Sequence, residues 1–309
     1  MEAAAAAEAQ TAAAASDEGE AVRTEESTVT EEEARSSGEE FETKATNSEA
    51  TAAQSSQAAA RASDDDDDDD LLKTLGAVAA AGLGAYAIGE IVDGGGRVVS
   101  NSGDRVVVEQ DVQYRVFKDD DTLLRRPGND VQTETFADGS TRTTVTAEDG
   151  TQTITIRSRN GRVMRRTRIL PEGNQVVLFD DTQNYERVDV SELPDTDARN
   201  FEYGSVETEE LRMALRAAEA DLPDRRFSLS QIRNIDAVRK QVPVIALDAI
   251  NFETGSSVIR PQEAEELSAL GNAMREAIEE DPSQVFLVEG HTDTVGRAAY
   301  NLALSDRRA

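Results

Sequence analysis

Between residues 138 and 173 a turn dipeptide returns at a nearly constant interval. Asp138-Gly139, Asp149-Gly150 and Asn160-Gly161 follow one another every eleven residues, and Glu172-Gly173 comes one step late. Asp-Gly and Asn-Gly accept the positive φ that tight hairpin turns demand, so each marks a place where a strand reverses. The nine residues between successive turns make one strand. The spacing therefore predicts a β-meander with strands near 140–148, 151–159, 162–170 and 174–179. A period of two begins earlier. Arg97-Val98-Val99 and Arg105-Val106-Val107-Val108 flank Asn101-Ser102-Gly103-Asp104, a hairpin signal, and Tyr114–Phe117 reads as another short strand. The outward faces of the meander read as Thr-rich. Its apolar residues (Val145, Ile154, Ile156, Val163, Ile169 and Val177) are few, so the sheet needs a partner surface.

Six arginines crowd between Arg157 and Arg168. Two readings stand: an anionic partner, such as lipopolysaccharide headgroups or the acidic tail of the same chain, or protection of an exposed sheet edge by charge. The chain as a whole is acidic, with a formal charge of -30 over 309 residues. Its first 70 residues carry 21 acids against four bases. Such a balance disfavours a nucleic-acid partner, because phosphates are repelled without a strong local basic face. There is no cysteine and a single histidine, His291, so disulfides, a lipidated cysteine and thiolate or zinc sites are all excluded.

Residues 1–70 are Ala, Glu, Ser and Thr ending in the acidic block Asp64–Asp70, and without an apolar stripe they read as a disordered tail. Met1-Glu2-Ala3 opens no basic and apolar leader, so no secretion signal is expected in the segment as written. Leu71–Val92 is the hydrophobic stretch. Lys73 and Glu90 bound sixteen uncharged residues, short of the roughly 20 that span a bilayer. Gly76, Ala80 and Gly84 at four-residue spacing suit close helix packing, so a membrane-inserted helix and a packed or self-associating one both stay open.

After the meander comes a connector, with one amphipathic helix expected over Thr208–Ala220 on the stripe Leu211, Ala214, Leu215 and Ala218. A last domain then begins near Val242. Val244–Phe252 reads as a strand, and Glu253-Thr254-Gly255-Ser256 as its turn. Pro261 starts a helix running to about Glu279, with Ala264, Leu267, Leu270, Met274 and Ile278 as its buried stripe. Asp281-Pro282 ends that helix, and Val285–Val288 reads as a buried strand. Strand, helix, strand makes a βαβ unit with its mouth past the second strand. Beyond that strand, Glu289-Gly290 breaks into a polar turn, His291-Thr292-Asp293-Thr294. A helical pattern around Tyr300 and Leu304 follows, and Ser305 reads as the N-cap of a fresh helix. Arg307 and Arg308 would then oppose the helix dipole by about 0.3–1 kcal/mol each, an unfavourable position that suggests a site, although spacing alone favours the plainer reading of solvated arginines at a helix end.

The run from Thr292 to Ala309 resembles the peptidoglycan-binding motif of the OmpA-like C-terminal domain family, patterned TD-x2-G-x3-YN-x2-LS-x2-RA. The matching residues are Thr292, Asp293, Gly296, Tyr300, Asn301, Leu304, Ser305, Arg308 and Ala309. DAINFETGSSVI upstream resembles the first strand and turn of the same domain, and the run from Arg225 to Arg233 resembles, more weakly, the stretch that precedes it. The resemblance implies that Asp293 pairs with the ammonium of diaminopimelate (DAP) in the wall peptide and that Arg308 pairs with its carboxylate. Free N–H groups of a helix start after Ser305 would hold the same anion. Thr292 and Asn301 would line the pocket. Glu253 would stand at its mouth where the family often has Asp. It also implies further strands after Ala309, so the domain is expected to be truncated at its C-terminus.

The fold expected is α+β: a disordered acidic tail (1–70), a glycine-rich hydrophobic helix (71–94), the β-meander with its 11-residue repeat (95–183), a connector with a helix (184–241) and a partial OmpA-like βαβ α/β sandwich (242–309). The function implied is that of a non-enzymatic protein of the periplasm or outer membrane. It would bind DAP-type peptidoglycan non-covalently, without cofactor or metal, and tether the outer membrane or a periplasmic assembly to the wall. A flagellar-stator-like membrane protein is one alternative. A hydrolase using His291 with Asp293 is another, although no nucleophile or metal set stands near the pair in sequence.

Overall fold

The computed structural model describes residues 12–16, 19–31, 34, 88, 95–101, 105–110, 113–194, 200–202, 226–241, 244–247, 250–293 and 295–309. The hydrophobic stretch 71–94 therefore lies outside the described residues except for Ile88, which is helical and buried, and Gly95 only follows it. The connector helix expected over 208–220 and the acidic block 64–70 lie outside them as well. No helix among the described residues is long and apolar enough to cross a membrane.

Eleven-residue spacing becomes structure in the middle of the chain. In chain order the strands are β1 (Ala21–Thr28), β2 (Arg97–Asn101), β3 (Arg105–Gln110), β4 (Gln113–Lys118), β5 (Asp130–Phe136), β6 (Thr141–Thr146), β7 (Gln152–Arg157), β8 (Val163–Ile169) and β9 (Gln175–Asp180). Every turn glycine of the repeat has positive φ, between 73° and 87°, as two-residue reversals require. β2, β3 and β4 form a separate antiparallel sheet of three, the hairpin and following strand expected from sequence.

The main sheet has six strands in the order β1-β5-β6-β7-β8-β9, two more than the repeat announces. β5 precedes the first turn dipeptide. β1 comes from the acidic tail, where disorder was expected: Ala21–Thr28 pairs antiparallel with β5 along its whole length. Its Thr and Val residues suit a pleated edge, and Thr28 bonds Asp130 (2.7 Å) while Glu26 accepts from Gln132 (2.7 Å). Composition does not reveal this strand, because its partner lies about a hundred residues away.

Both faces of this sheet are covered. On one, the Ala13–Ala15 turn sinks Ala14 against Phe136 and Ile156, with Ala13 N–H donating to Asp138 (2.7 Å) and Arg142 and Arg165 donating to the Ala14 and Ala15 carbonyls. On the other, Val131 and Val145 pack with Val29 and Leu124, and beyond them the face turns polar. Thr143, Thr155 and Arg157 are buried there, so the threonines do not all face outward as expected.

Arg157, only 1% exposed, is roofed by Asp119-Asp120-Asp121, the segment leaving β4. It reaches Asp119 and Asp121 at 3.0 Å each, while Arg125 pairs with Asp119 (3.1 Å), Arg166 with Asp121 (2.6 Å) and Arg233 with Asp120 (3.1 Å). Burial pushes the Asp121 and Asp120 carboxyls up, but the adjoining guanidiniums outweigh it and hold both below the ordinary range. For Asp119 burial wins and its pKa is raised. Both sequence readings of the arginine cluster are thus corrected for Arg157 and Arg166. They lie on interior strands, where no edge needs protection, and their acids come from 119–121 rather than from the tail or an outside anion.

The remainder is smaller. β10 (Asn200–Glu202) pairs in parallel with β11 (Val244–Ala246). Between them are the short helices α1 (Leu229–Asn234) and α2 (Asp236–Arg239). α1 is capped twice, by Ser228 with Gln231 and by Asp181, whose carboxylate accepts from Leu229 N–H (2.7 Å) and Ser230 N–H (2.9 Å). α3 (Pro261–Glu280) starts at its proline as expected, and Glu263 folds back onto the N–H groups of Asn251 and Arg260. Its buried centre is Ala273, against Ile245, Leu247 and Leu270. Of the expected stripe, Leu267, Leu270, Met274 and Ile278 are part-buried and Ala264 is exposed. α4 (Ala298–Arg308) closes the order.

Among the described residues the βαβ unit is not formed. Within Val244–Phe252 the described strand is Val244–Ala246, and Val285–Val288 is extended chain with Val285, Leu287 and Val288 about half exposed. A strand exists through the ladder it shares, and among the described residues no strand pairs with 285–288.

Candidate functional site

α4 carries the C-terminal half of the motif. It is one continuous helix through Ser305, whose hydroxyl donates to the Leu302 carbonyl (2.9 Å) instead of capping a new start. The fresh helix expected at Ser305 is therefore absent, and with it the free N–H groups proposed for the anion. Arg307 and Arg308 stand within α4, not in the first turn of a new helix.

Two loops meet the C-terminal end of α4. The first, 252–256, supplies the Phe252 ring, which lies under the Arg308 guanidinium at 4.7 Å from carbon to centroid. The second, 289–295, runs so close to the helix that a Cβ on Gly290 would lie 2.5 Å from the Ala309 nitrogen and 2.9 Å from the Arg308 carbonyl carbon. Only glycine permits that approach. Glu289 is tied back to Arg239 of α2 at 3.2 Å.

Between these loops Arg308 donates to three main-chain carbonyls: Nε to Ser256 (3.0 Å), Nη1 to His291 (3.0 Å) and Nη2 to Glu253 (3.2 Å). A guanidinium has five N–H groups, so two remain beyond these three bonds. Its pKa is lowered, chiefly by desolvation, and the nearby Asp293 charge works against that fall. Asp293 itself is exposed. Its carboxylate accepts from Val295 N–H (3.0 Å) in a local turn and makes no direct ion pair with Arg308. Asn301 holds that turn from below, donating to the carbonyls of Asp293 (3.2 Å) and Val295 (3.0 Å). Tyr300 reaches the other loop through its hydroxyl, 3.4 Å from the Gly255 carbonyl.

Of the residues singled out by sequence, Asp293, Asn301, Arg308 and Glu253 come together around the end of α4, and Thr292 lies in the same loop, half-buried. Glu253 takes part through its carbonyl. Its carboxylate acts electrostatically on Arg260 instead. His291 likewise contributes its carbonyl, and no hydrogen bond joins its ring to Asp293. Three participants went unread: Phe252, Ser256 and Gly290. The aromatic before Glu253 and the glycine before His291 were visible in the sequence, but nothing in their spacing said that both loops close on one arginine.

Comparison with known families adds one match. Residues 251–309 match the sequence model of the OmpA family. The C-terminal segment is thus an OmpA-family domain segment, and its boundaries enclose both loops, α3 and α4. The family domain is a non-enzymatic binder of peptidoglycan typical of the cell envelope. None of the three sheets among the described residues, all of which precede residue 251, is included in the match. No curated protein and no solved structure matches the chain.

Proposed function

We propose that this chain binds peptidoglycan non-covalently through the diaminopimelate of the stem peptide. Arg308 takes the carboxylate and Asp293 the ammonium, and the chain thereby tethers the outer membrane or a periplasmic assembly to the wall. The observation that carries the reading is the state of Arg308. Its guanidinium rests on an aromatic face and is oriented by three neutral carbonyls, with two N–H groups left for a planar, bidentate anion. No carboxylate among the described residues pairs with it directly. Asp293, exposed and fixed by Asn301 and its own turn, supplies the opposite charge close by, as an amphoteric amino acid needs. Thr292 and Asn301 line the same side, and Glu253 holds Arg308 through its main chain.

Sedimentation with sacculi of DAP-type and lysine-type peptidoglycan tests the reading. Binding to the DAP type alone is expected. Asp293→Ala or Arg308→Ala should weaken it by about 2 kcal/mol or more, because each leaves the other ligand charge unpaired. Equal binding to both wall types, or retained affinity in both variants, removes the assignment.

A further inference from the structure

α4 is held from a second side by a part of the chain that lies outside the family match. Ala303 and Leu304 are buried against Val107 of β3, with Val99, Val116 and Tyr300 packed around them. Val107 is 1% exposed, so this is a closed contact. Beside it Asp306 accepts from the Arg105 guanidinium through its side chain, and from Arg105 Nη2 through its main-chain carbonyl at 3.3 Å. The Lys118 ammonium adds a second cation at 3.3 Å. Arg105 and Lys118 are cross-strand neighbours in register on β3 and β4, so the sheet presents them as a pair.

The helix therefore has two working stripes. Asn301 and Arg308 meet the loops of the site, while Ala303, Leu304 and Asp306 meet the β2–β4 sheet. Tyr300 belongs to both, with its ring in the apolar cluster and its hydroxyl on Gly255. Asp306 lies two residues before Arg308. In a helix of 3.6 residues per turn, whatever fixes the rotation and height of one fixes those of the other. The loops that cradle Arg308 make short, directional contacts with its guanidinium, and a modest rotation of α4 would break all three carbonyl bonds. Lys118 also lies 3.7 Å from Asp120, so the same cation faces the buried arginine–aspartate hub under the main sheet.

We propose that the β2–β4 sheet is an intramolecular buttress for the peptidoglycan site, with Arg105 and Lys118 acting through Asp306 as positioning residues for Arg308. The proposal rests on the reading of Arg308 given above. It assigns to a segment outside the OmpA-family match the task of setting the affinity of that match.

The chain has no cysteine, so a designed pair reports on the contact without background. In the full chain, Val107→Cys with Ala303→Cys should form an intramolecular disulfide under mild oxidation. Arg105→Ala and Asp306→Ala should each weaken binding to DAP-type sacculi roughly tenfold, and the double variant should lose no more than either single one. Arg105→Lys should recover part of the loss, and the oxidised cysteine pair should recover it in the Arg105→Ala background. A purely structural role would give lower stability without rescue by a cross-link that only fixes the helix. If Arg308→Ala loses binding while Arg105→Ala and Asp306→Ala bind like the parent, the buttress is overturned and the peptidoglycan reading stands. If Arg308→Ala itself binds like the parent, the peptidoglycan reading has failed and the buttress falls with it, however well the pair cross-links.

Discussion

Arginine is used in two opposite ways in this molecule. Under the main sheet Arg157 is sunk among three aspartates, and its charge is met at 3.0 Å by Asp119 and Asp121. At the end of α4 Arg308 is part-exposed, seated on Phe252 and oriented by carbonyl dipoles alone. Full charge pairing makes a group structural, since its energy is already committed within the fold. A cation aimed by neutral dipoles keeps its charge for something outside.

The contrast can be broken at several points. The largest effect is expected from Arg157→Met, which leaves a cluster of buried carboxylates without its central cation. Unfolding should become easier by about 3–5 kcal/mol, read by denaturant titration, while sacculus binding per folded molecule stays unchanged. A stable Arg157→Met protein would mean that the hub is wetter than its burial indicates. Gly290→Ala should come next, costing about 1–3 kcal/mol in the C-terminal segment, because a Cβ there presses on the backbone of α4. It should also weaken wall binding, since the loop carrying His291 must move.

Acid titration sharpens the same contrast. Asp120 and Asp121 have depressed pKa values in the fold, so their stabilisation is complete above the unfolded aspartate range. It is lost as pH falls through their lower, folded values. Asp119, raised by burial, acts in the other direction and softens the loss. Stability measured by circular dichroism should therefore fall below about pH 4, and Asp121→Asn should reduce that slope. A pH profile unchanged in Asp121→Asn would show that the acid response comes from elsewhere. Gly150→Ala is expected to cost about 1–2 kcal/mol, since its φ of 84° strains any L side chain while open space lies around the Cβ. The smallest change is Arg308→Ala, about 1 kcal/mol or less in stability, because it removes bonds to carbonyls that water can replace. A larger loss would make Arg308 a structural residue like Arg157.

Local chemistry carried most of the meander. Asp-Gly and Asn-Gly at equal intervals allow few other folds, and the four expected strands appear within a residue or two of their expected turns. The start of α3 at Pro261 was legible for the same reason: an N-terminal proline and first-turn acid act within one helical turn. The motif from Thr292 to Ala309 also identified its family from letters alone.

What needed the tertiary structure was every feature that depends on a distant partner. β1 is a strand because β5 offers an edge, and the six clustered arginines could not announce that two of them would meet Asp119–Asp121. Val285–Val288 has a strand's composition but no ladder among the described residues, so composition alone misled. Ser305 has an N-cap's composition but lies inside a continuous helix, which Val107 and Arg105 of another sheet hold on either side of it, at Ala303, Leu304 and Asp306. By itself the sequence determined where the chain turns and which family its end belongs to, since turns and motifs are short-range. Which charges neutralise one another and which remain available to a ligand is a matter of distance in space, and only the folded arrangement decided it.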